Sequence, residues 1–166
     1  MKPAVLRWMM NLYFPLLGAG VHIERISDDY TEIDVRMRLT RFNRNYVGTQ
    51  FGGSLYSMTD PFYMLMLMQH LAKDYVVWDQ AAHIDFIAPG RGTVYARFRL
   101  TEEQIADFRA QAASGKAIRP VLPIDVVNEA GEVVARIQKT LYIRLKPALR
   151  PPAAAEISAP NQPVQE

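Results

Sequence analysis

Apolar and polar positions alternate with period two from Tyr30 to Leu39. Ile33, Val35, Met37 and Leu39 fall on one side, and Glu32, Asp34, Arg36 and Arg38 on the other. That period predicts a strand with one buried face. Thr93 to Leu100 repeats it, with Val94, Ala96, Phe98 and Leu100 inward. Val133 to Leu145 repeats it again, setting Ala135, Ile137, Leu141, Ile143 and Leu145 against Arg136, Gln138, Tyr142 and Arg144. Val21 to Ile26, Val76 to Ala88 and Ile118 to Asn128 also read as strands. Pro120 and Pro123 predict an edge or a bulge for the last of these, because proline cannot donate to a ladder. Asp28-Asp29, Pro89-Gly90-Arg91-Gly92 and Glu129-Ala130-Gly131 supply the turns.

Other segments break this period. Phe62 to Met68 is apolar on all sides, in a segment that runs to Leu71 and lacks β-branched residues, which predicts a helix surrounded by protein. Thr101-Glu-Glu-Gln104 is a capping box, so a second helix starts there and ends near Ser114-Gly115. Pro3 to Tyr13 predicts a short amphipathic helix, better placed against the sheet or a neighbour than on a membrane. The order strand, strand, buried helix, strand, strand, helix, strand, strand fits an α+β domain over residues 1–146. In it an antiparallel sheet curls around one apolar helix, although other α+β sheets fit the same order. From residue 147 to 166 the chain turns rich in Pro and Ala. That composition predicts a disordered or loosely docked tail.

Composition narrows the function classes. The 166 residues are 49% hydrophobic and 22% charged, as in a globular domain with a sizeable core. With no Cys there is no disulfide, thiolate nucleophile or iron–sulfur site. The net charge is +2, and no basic stripe is interleaved with aromatics, so nucleic acid is not an expected partner. Arg7, Asn11 and Pro15 interrupt the apolar N-terminus, which does not read as a signal peptide. No stretch reaches the ~20 apolar residues of a membrane span. A cytoplasmic protein without an integral membrane segment is expected.

The candidate chemistry lies in Asn45-Tyr-Val-Gly48-Thr49-Gln-Phe51-Gly52-Gly53, with Asp60 seven residues further on. Paired glycines at a helix start expose N–H groups at the positive end of the helix dipole, where negative charge can develop. A carboxylate two turns away can activate water or attack directly. Ser57-Met-Thr-Asp60-Pro61 carries two structural readings as well. Asp60 is the N-cap of a helix with Pro61 in first position, or a helix begins at Gly53 and Pro61 kinks it. Gly52 and Gly53 could form a plain tight turn, and Asn45 could serve its own turn or orient water.

This pattern resembles the signature of hotdog-fold acyl-CoA thioesterases of the phenylacetate-pathway type, Asn-x-x-Gly-Thr-x-His-Gly-Gly followed by an acid. Asn45, Gly48, Thr49, Gly52, Gly53 and Asp60 match it. Phe51 stands where those enzymes carry His, as in a less characterised hotdog branch with Phe-Gly-Gly. The resemblance covers residues 15–146 and implies a hotdog fold whose subunits pair side by side, with active sites between them. It implies hydrolysis of an acyl-CoA or acyl-carrier thioester without metal or redox cofactor. Asp60 would be base or nucleophile, Gly52 and Gly53 the oxyanion donors, and Asn45 a positioning group. Thr49, Phe51, Tyr63 and Met64 would help to line the substrate site. Phe51 can neither hydrogen bond nor transfer a proton, which leaves open a protein that binds acyl thioesters without cleaving them, or a structural assembly module.

The remaining candidates are polar. His83, Asp85 and Asp79 share one face of a strand that should be largely buried, so that face lines a wet cleft or pairs across an interface. Arg91, between Gly90 and Gly92, could meet phosphate or be a plain turn arginine. The histidines lack metal-ligand spacing, and no nucleophile elbow, phosphate loop or dinucleotide fingerprint is present.

Overall fold

The structure is a computed structural model, and it describes residues 1–151. Strands β1 (Val21–Ile26), β2 (Glu32–Met37), β3 (Tyr75–Phe86), β4 (Val94–Arg99), β5 (Val121–Asn128) and β6 (Val133–Leu145) form one sheet. Its order is β1-β2-β4-β5-β6-β3. All its pairings are antiparallel. Helices α1 (Pro3–Asn11) and α2 (Phe14–Ala19) precede the sheet, and α5 (Glu102–Ala112) links β4 to β5. Between β2 and β3 run α3 (Gly52–Ser57) and α4 (Phe62–Leu71). This is the expected hotdog arrangement, a sheet wrapped around an apolar helix.

The alternation in the sequence sets what faces inward. Ile33, Val35, Met37, Val94, Ala96, Phe98, Ile137 and Leu141 are buried and meet Phe62, Met66, Leu67 and Leu71 of α4 in one core. Phe98 sits at the centre, its ring 5.0 Å from that of Phe62 and 5.1 Å from that of Tyr63. The alternate residues build ion pairs on the outer face, where Arg25 and Arg99 bracket Glu32 and Asp34. The capping box forms as expected, with Thr101 accepting from the Gln104 amide.

Three expectations are corrected. A second N-terminal helix, α2, follows the first: Pro15 lies in its first turn, and Gly20 ends it with φ 83°. The strand with two prolines is not an edge but interior, between β4 and β6, and its pairing with β6 shifts register between Val126 and Val127, as the bulge alternative allowed. Proline is tolerated because β5 pairs with β4 only from Val126 to Asn128, so the strands splay apart at Pro123. The strand expected to be buried, β3, is instead a sheet edge. Trp78, His83, Asp85 and Phe86 on it are exposed. At the start of the expected tail, Pro147–Leu149 form a 3-10 turn and Arg150 Nε donates to the Leu145 carbonyl. The rest of the expected tail, 152–166, lies outside the described residues.

Deleting the central ring tests this packing. Phe98→Ala should cost about 3–5 kcal/mol and lower the melting temperature by on the order of 10 °C in a calorimetric scan. The same truncation at exposed Phe86 should change the chain's own melting little.

Candidate functional site

The loop from β2 to α3 is held by side chains bonding their own backbone. Asn43 is buried; its Oδ1 accepts from the Thr40 amide at 2.7 Å, and its Nδ2 donates to the Arg38 carbonyl at 2.8 Å. Asn45 accepts from the Val47 and Thr49 amides and donates to Thr49 Oγ1 at 2.9 Å. Gly48, at φ 83°, allows the turn to close. Asn45 therefore fixes the loop, and its hydrogen-bonding groups are already engaged. Gln50 is buried, and its Nε2 donates to the Met37 and Gly92 carbonyls. It ties the loop to the Gly90–Gly92 turn. Asn43 and Gln50 carry no periodicity that marks them in sequence.

These contacts shape an open cavity of about 460 Å³, whose lining includes Asn45, Thr49, Gly52, Phe86, Ile87 and Arg91. Four expected site residues thus meet here. A Cβ at Gly52 would lie 3.0 Å from the Phe86 ring, and one at Gly53 would lie 2.5 Å from the Phe51 ring. Both glycines therefore let an aromatic ring rest against the backbone. Their amides open α3 and have no hydrogen-bond partner among the described residues. Phe86 and Ile87 are exposed and make part of the cavity wall apolar, whereas Phe51, itself half exposed, and Gly53 are outside the lining. Arg41 and Arg44 line an adjoining hollow with Asn45 and Tyr46.

Asp60 lies outside this lining, in the break between α3 and α4. It is not an N-cap. Pro61 occupies that place, and no side chain caps α4. The chain turns at Thr59, whose amide donates to the Tyr56 carbonyl at 2.8 Å, and α4 restarts after Pro61. The Asp60 carboxylate accepts instead from Lys139 Nζ at 2.9 Å. Lys139 is fully buried and also donates to Tyr56 Oη at 3.4 Å. Asp79 Oδ1 lies 3.4 Å from the same ammonium, near enough to pair with it although outside hydrogen-bond geometry. Burial works against charge on Lys139, yet the bond to Asp60 and the field of Asp79 hold its pKa above the ordinary value. Burial pushes Asp79 up from 3.8 to about 6, against the pull of Lys139. Burial also raises Tyr56, with Asp60 adding to the effect.

Lys139 was the functional candidate missed in the sequence. It stands in the inward register of β6, between Ile137 and Leu141, where a charge is expensive unless paired. The other expected residues lie elsewhere. Tyr63 is buried in the core, its hydroxyl donating to the Pro123 carbonyl at 2.8 Å, and burial pushes it up to about 12. Met64 is half buried against the core. Neither appears in the cavity lining. His83 and Asp85 are exposed on the β3 edge and pair with each other at 3.1 Å.

A family model described as Domain of unknown function (DUF4442) matches residues 2–143. No curated protein matches the chain. Among solved structures, the chain resembles a Pseudomonas aeruginosa protein of unknown function called a probable thioesterase. The two are 20% identical, with 87% of this chain and 99% of that one covered and a TM-score of 0.77. It also resembles a Haemophilus influenzae thioesterase at 15% identity, covering 87% and 92% of the two chains, with a TM-score of 0.62. The third is the PaaI protein of the E. coli phenylacetic acid degradation operon, at 20% identity, coverage of 82% and 88%, and a TM-score of 0.56. At these identities the likeness shows the shared fold.

The position of Asp79 sets a pH dependence of stability. An unfolded Asp79 loses its proton near 3.8, and the folded one only near 6, so ionisation disfavours the fold. Stability should fall as pH rises through that window and level off above it. Asp79→Asn removes the effect. Its melting temperature relative to wild type should therefore be higher at a pH about two units above the folded pKa than at one near the unfolded pKa.

Proposed function

We propose that this chain, which belongs to the family described as Domain of unknown function (DUF4442), hydrolyses acyl thioesters to the free acid and thiol. The observation that carries this reading is the cavity bounded by Gly52, Phe86 and Ile87, beside two α3 amides that have no hydrogen-bond partner among the described residues. A thioester carbonyl held there would place its developing oxyanion on the Gly52 and Gly53 N–H groups. Asp60 would take a proton from water as the oxygen attacks the carbonyl carbon, or would attack it directly and be regenerated by water. The C–S bond then breaks, and the thiolate leaves and takes up a proton. Asn45 and Thr49 would keep the loop in shape. Arg91, with Arg41 and Arg44 nearby, would meet the anionic groups of the thiol carrier.

Asp60 does not line the same chain's cavity, and β3 offers an open edge carrying the exposed Trp78 and Phe86. An uncovered edge invites pairing with another copy. A homodimer, or a tetramer of such pairs, would set one subunit's cavity against its partner's helix break. Phe51 favours a second reading, binding without cleavage, because its ring rests on Gly53 and supplies no proton.

A panel of acyl-CoAs assayed for thiol release tests the first reading directly. Asp60→Asn should lower kcat by about 100-fold or more while acyl-CoA binding persists, since Asn cannot accept the proton. If the wild type binds acyl-CoA and releases no thiol, the binding reading holds instead. Phe51→His then shows whether an added imidazole brings hydrolysis. Light scattering at micromolar concentration should give a dimer or larger; a monomer would exclude the shared site.

A further inference from the structure

Lys139 is unexplained by the fold alone. Its register neighbours across the sheet are Ala82 on β3 and Leu122 on β5. Along β6 the same face carries Ala135, Ile137, Leu141 and Ile143, all buried. An apolar side chain would continue that row without desolvating a charge, and replacing buried ion pairs by apolar groups is often neutral or stabilising. Yet the ammonium is fully buried, and its polar contacts all go to one place: Asp60 Oδ1, Asp79 Oδ1 and Tyr56 Oη. Its cation also faces the Tyr56 ring at 5.1 Å. Two acids surround one base, so the cluster is more anionic than a simple pair when both are ionised. Half of the Asp60 side chain remains open to solvent while its Oδ1 is held from beneath.

We propose that Lys139 is a positioning residue for Asp60: it fixes one carboxylate oxygen so that the other is presented to water or thioester. This rests on the hydrolytic reading of Asp60. Fixing an oxygen matters because small displacements of a reacting group are costly in rate. The groups facing Asp79 are Lys139 from β6 and Asp60 from the helix break, while Tyr56 of α3 meets Lys139 and Asp60. Other charged side chains of this part of the sheet and of the segment before β5 are engaged elsewhere, His83 with Asp85, Arg119 with Gln80, and Arg136 with Asp125. When Asp79 ionises it competes for Lys139 and loosens the hold on Asp60. Rate should therefore change as pH passes the value of about 6 at which Asp79 titrates.

The test is steady-state hydrolysis of an acyl-CoA by the full chain and its variants, with folding checked by circular dichroism. Lys139→Met alone leaves the largely buried Asp79 without a cation and could unfold the chain, so Lys139→Met/Asp79→Asn, which is better balanced, is made beside it. The double variant should lose about tenfold or more in kcat with KM nearly unchanged. Asp79→Asn alone should keep most of kcat and lose the rate change near pH 6. A folded double variant with the kcat of wild type would overturn the proposal and leave the hydrolytic reading standing. A pH step that persists in Asp79→Asn would overturn the share given to Asp79. A wild type that releases no thiol would overturn both readings.

Discussion

The structure depends on covering the broad apolar face of α4. Phe62, Tyr63, Met66, Leu67 and Leu71 are all buried on that face, while Met68 and Gln69 are exposed. The antiparallel sheet must curl around α4, which its twist permits. The inward sets of β2, β4, β5 and β6 are then fixed by their period, because a one-residue slip would turn the whole set outward. Phe98, against both Phe62 and Tyr63, joins the sheet to the helix at its centre.

The same helix explains where chemistry is possible. Its apolar run cannot carry a site, so the polar groups gather just before it. There α3 is short, the chain breaks from Met58 to Pro61, and α4 restarts. Asp60 sits in that break and is tied to β6 through Lys139 rather than to its own backbone. On the other side of α3, the glycine pair and the Gly90–Gly92 turn bound the cavity. Gln50 locks these two loops together through bonds to Met37 and Gly92. The cavity and the carboxylate thus lie on either side of one short helix. In the hydrolytic reading proposed above, a second copy at the open β3 edge would bring the two together.

Much of this was legible in the sequence, and for local reasons. Alternation gave the bounds of Val133–Leu145, the capping box gave the start of α5, and the unbroken apolar run gave α4. Each rests on residues a few positions apart and on packing with period 2 or about 3.6. The glycine motif likewise marked a real turn, since Gly48 needs positive φ and Gly52 and Gly53 lie against aromatic rings. What remained hidden involved partners far away in the chain. The edge position of β3, the splay of β5 at Pro123, and the bond from Tyr63 to the Pro123 carbonyl follow from strand order, which no local pattern encodes.

Lys139 marks the boundary between the two kinds of information. The sequence determined that its side chain points inward, because it shares parity with Ile137 and Leu141. The sequence also determined that an acid follows the glycine pair at a fixed spacing. Only the tertiary structure decided that the two meet, 79 positions apart, at 2.9 Å. A buried ammonium requires a counter-charge, and which carboxylate supplies it depends on how β6, β3 and the helix break come together in space.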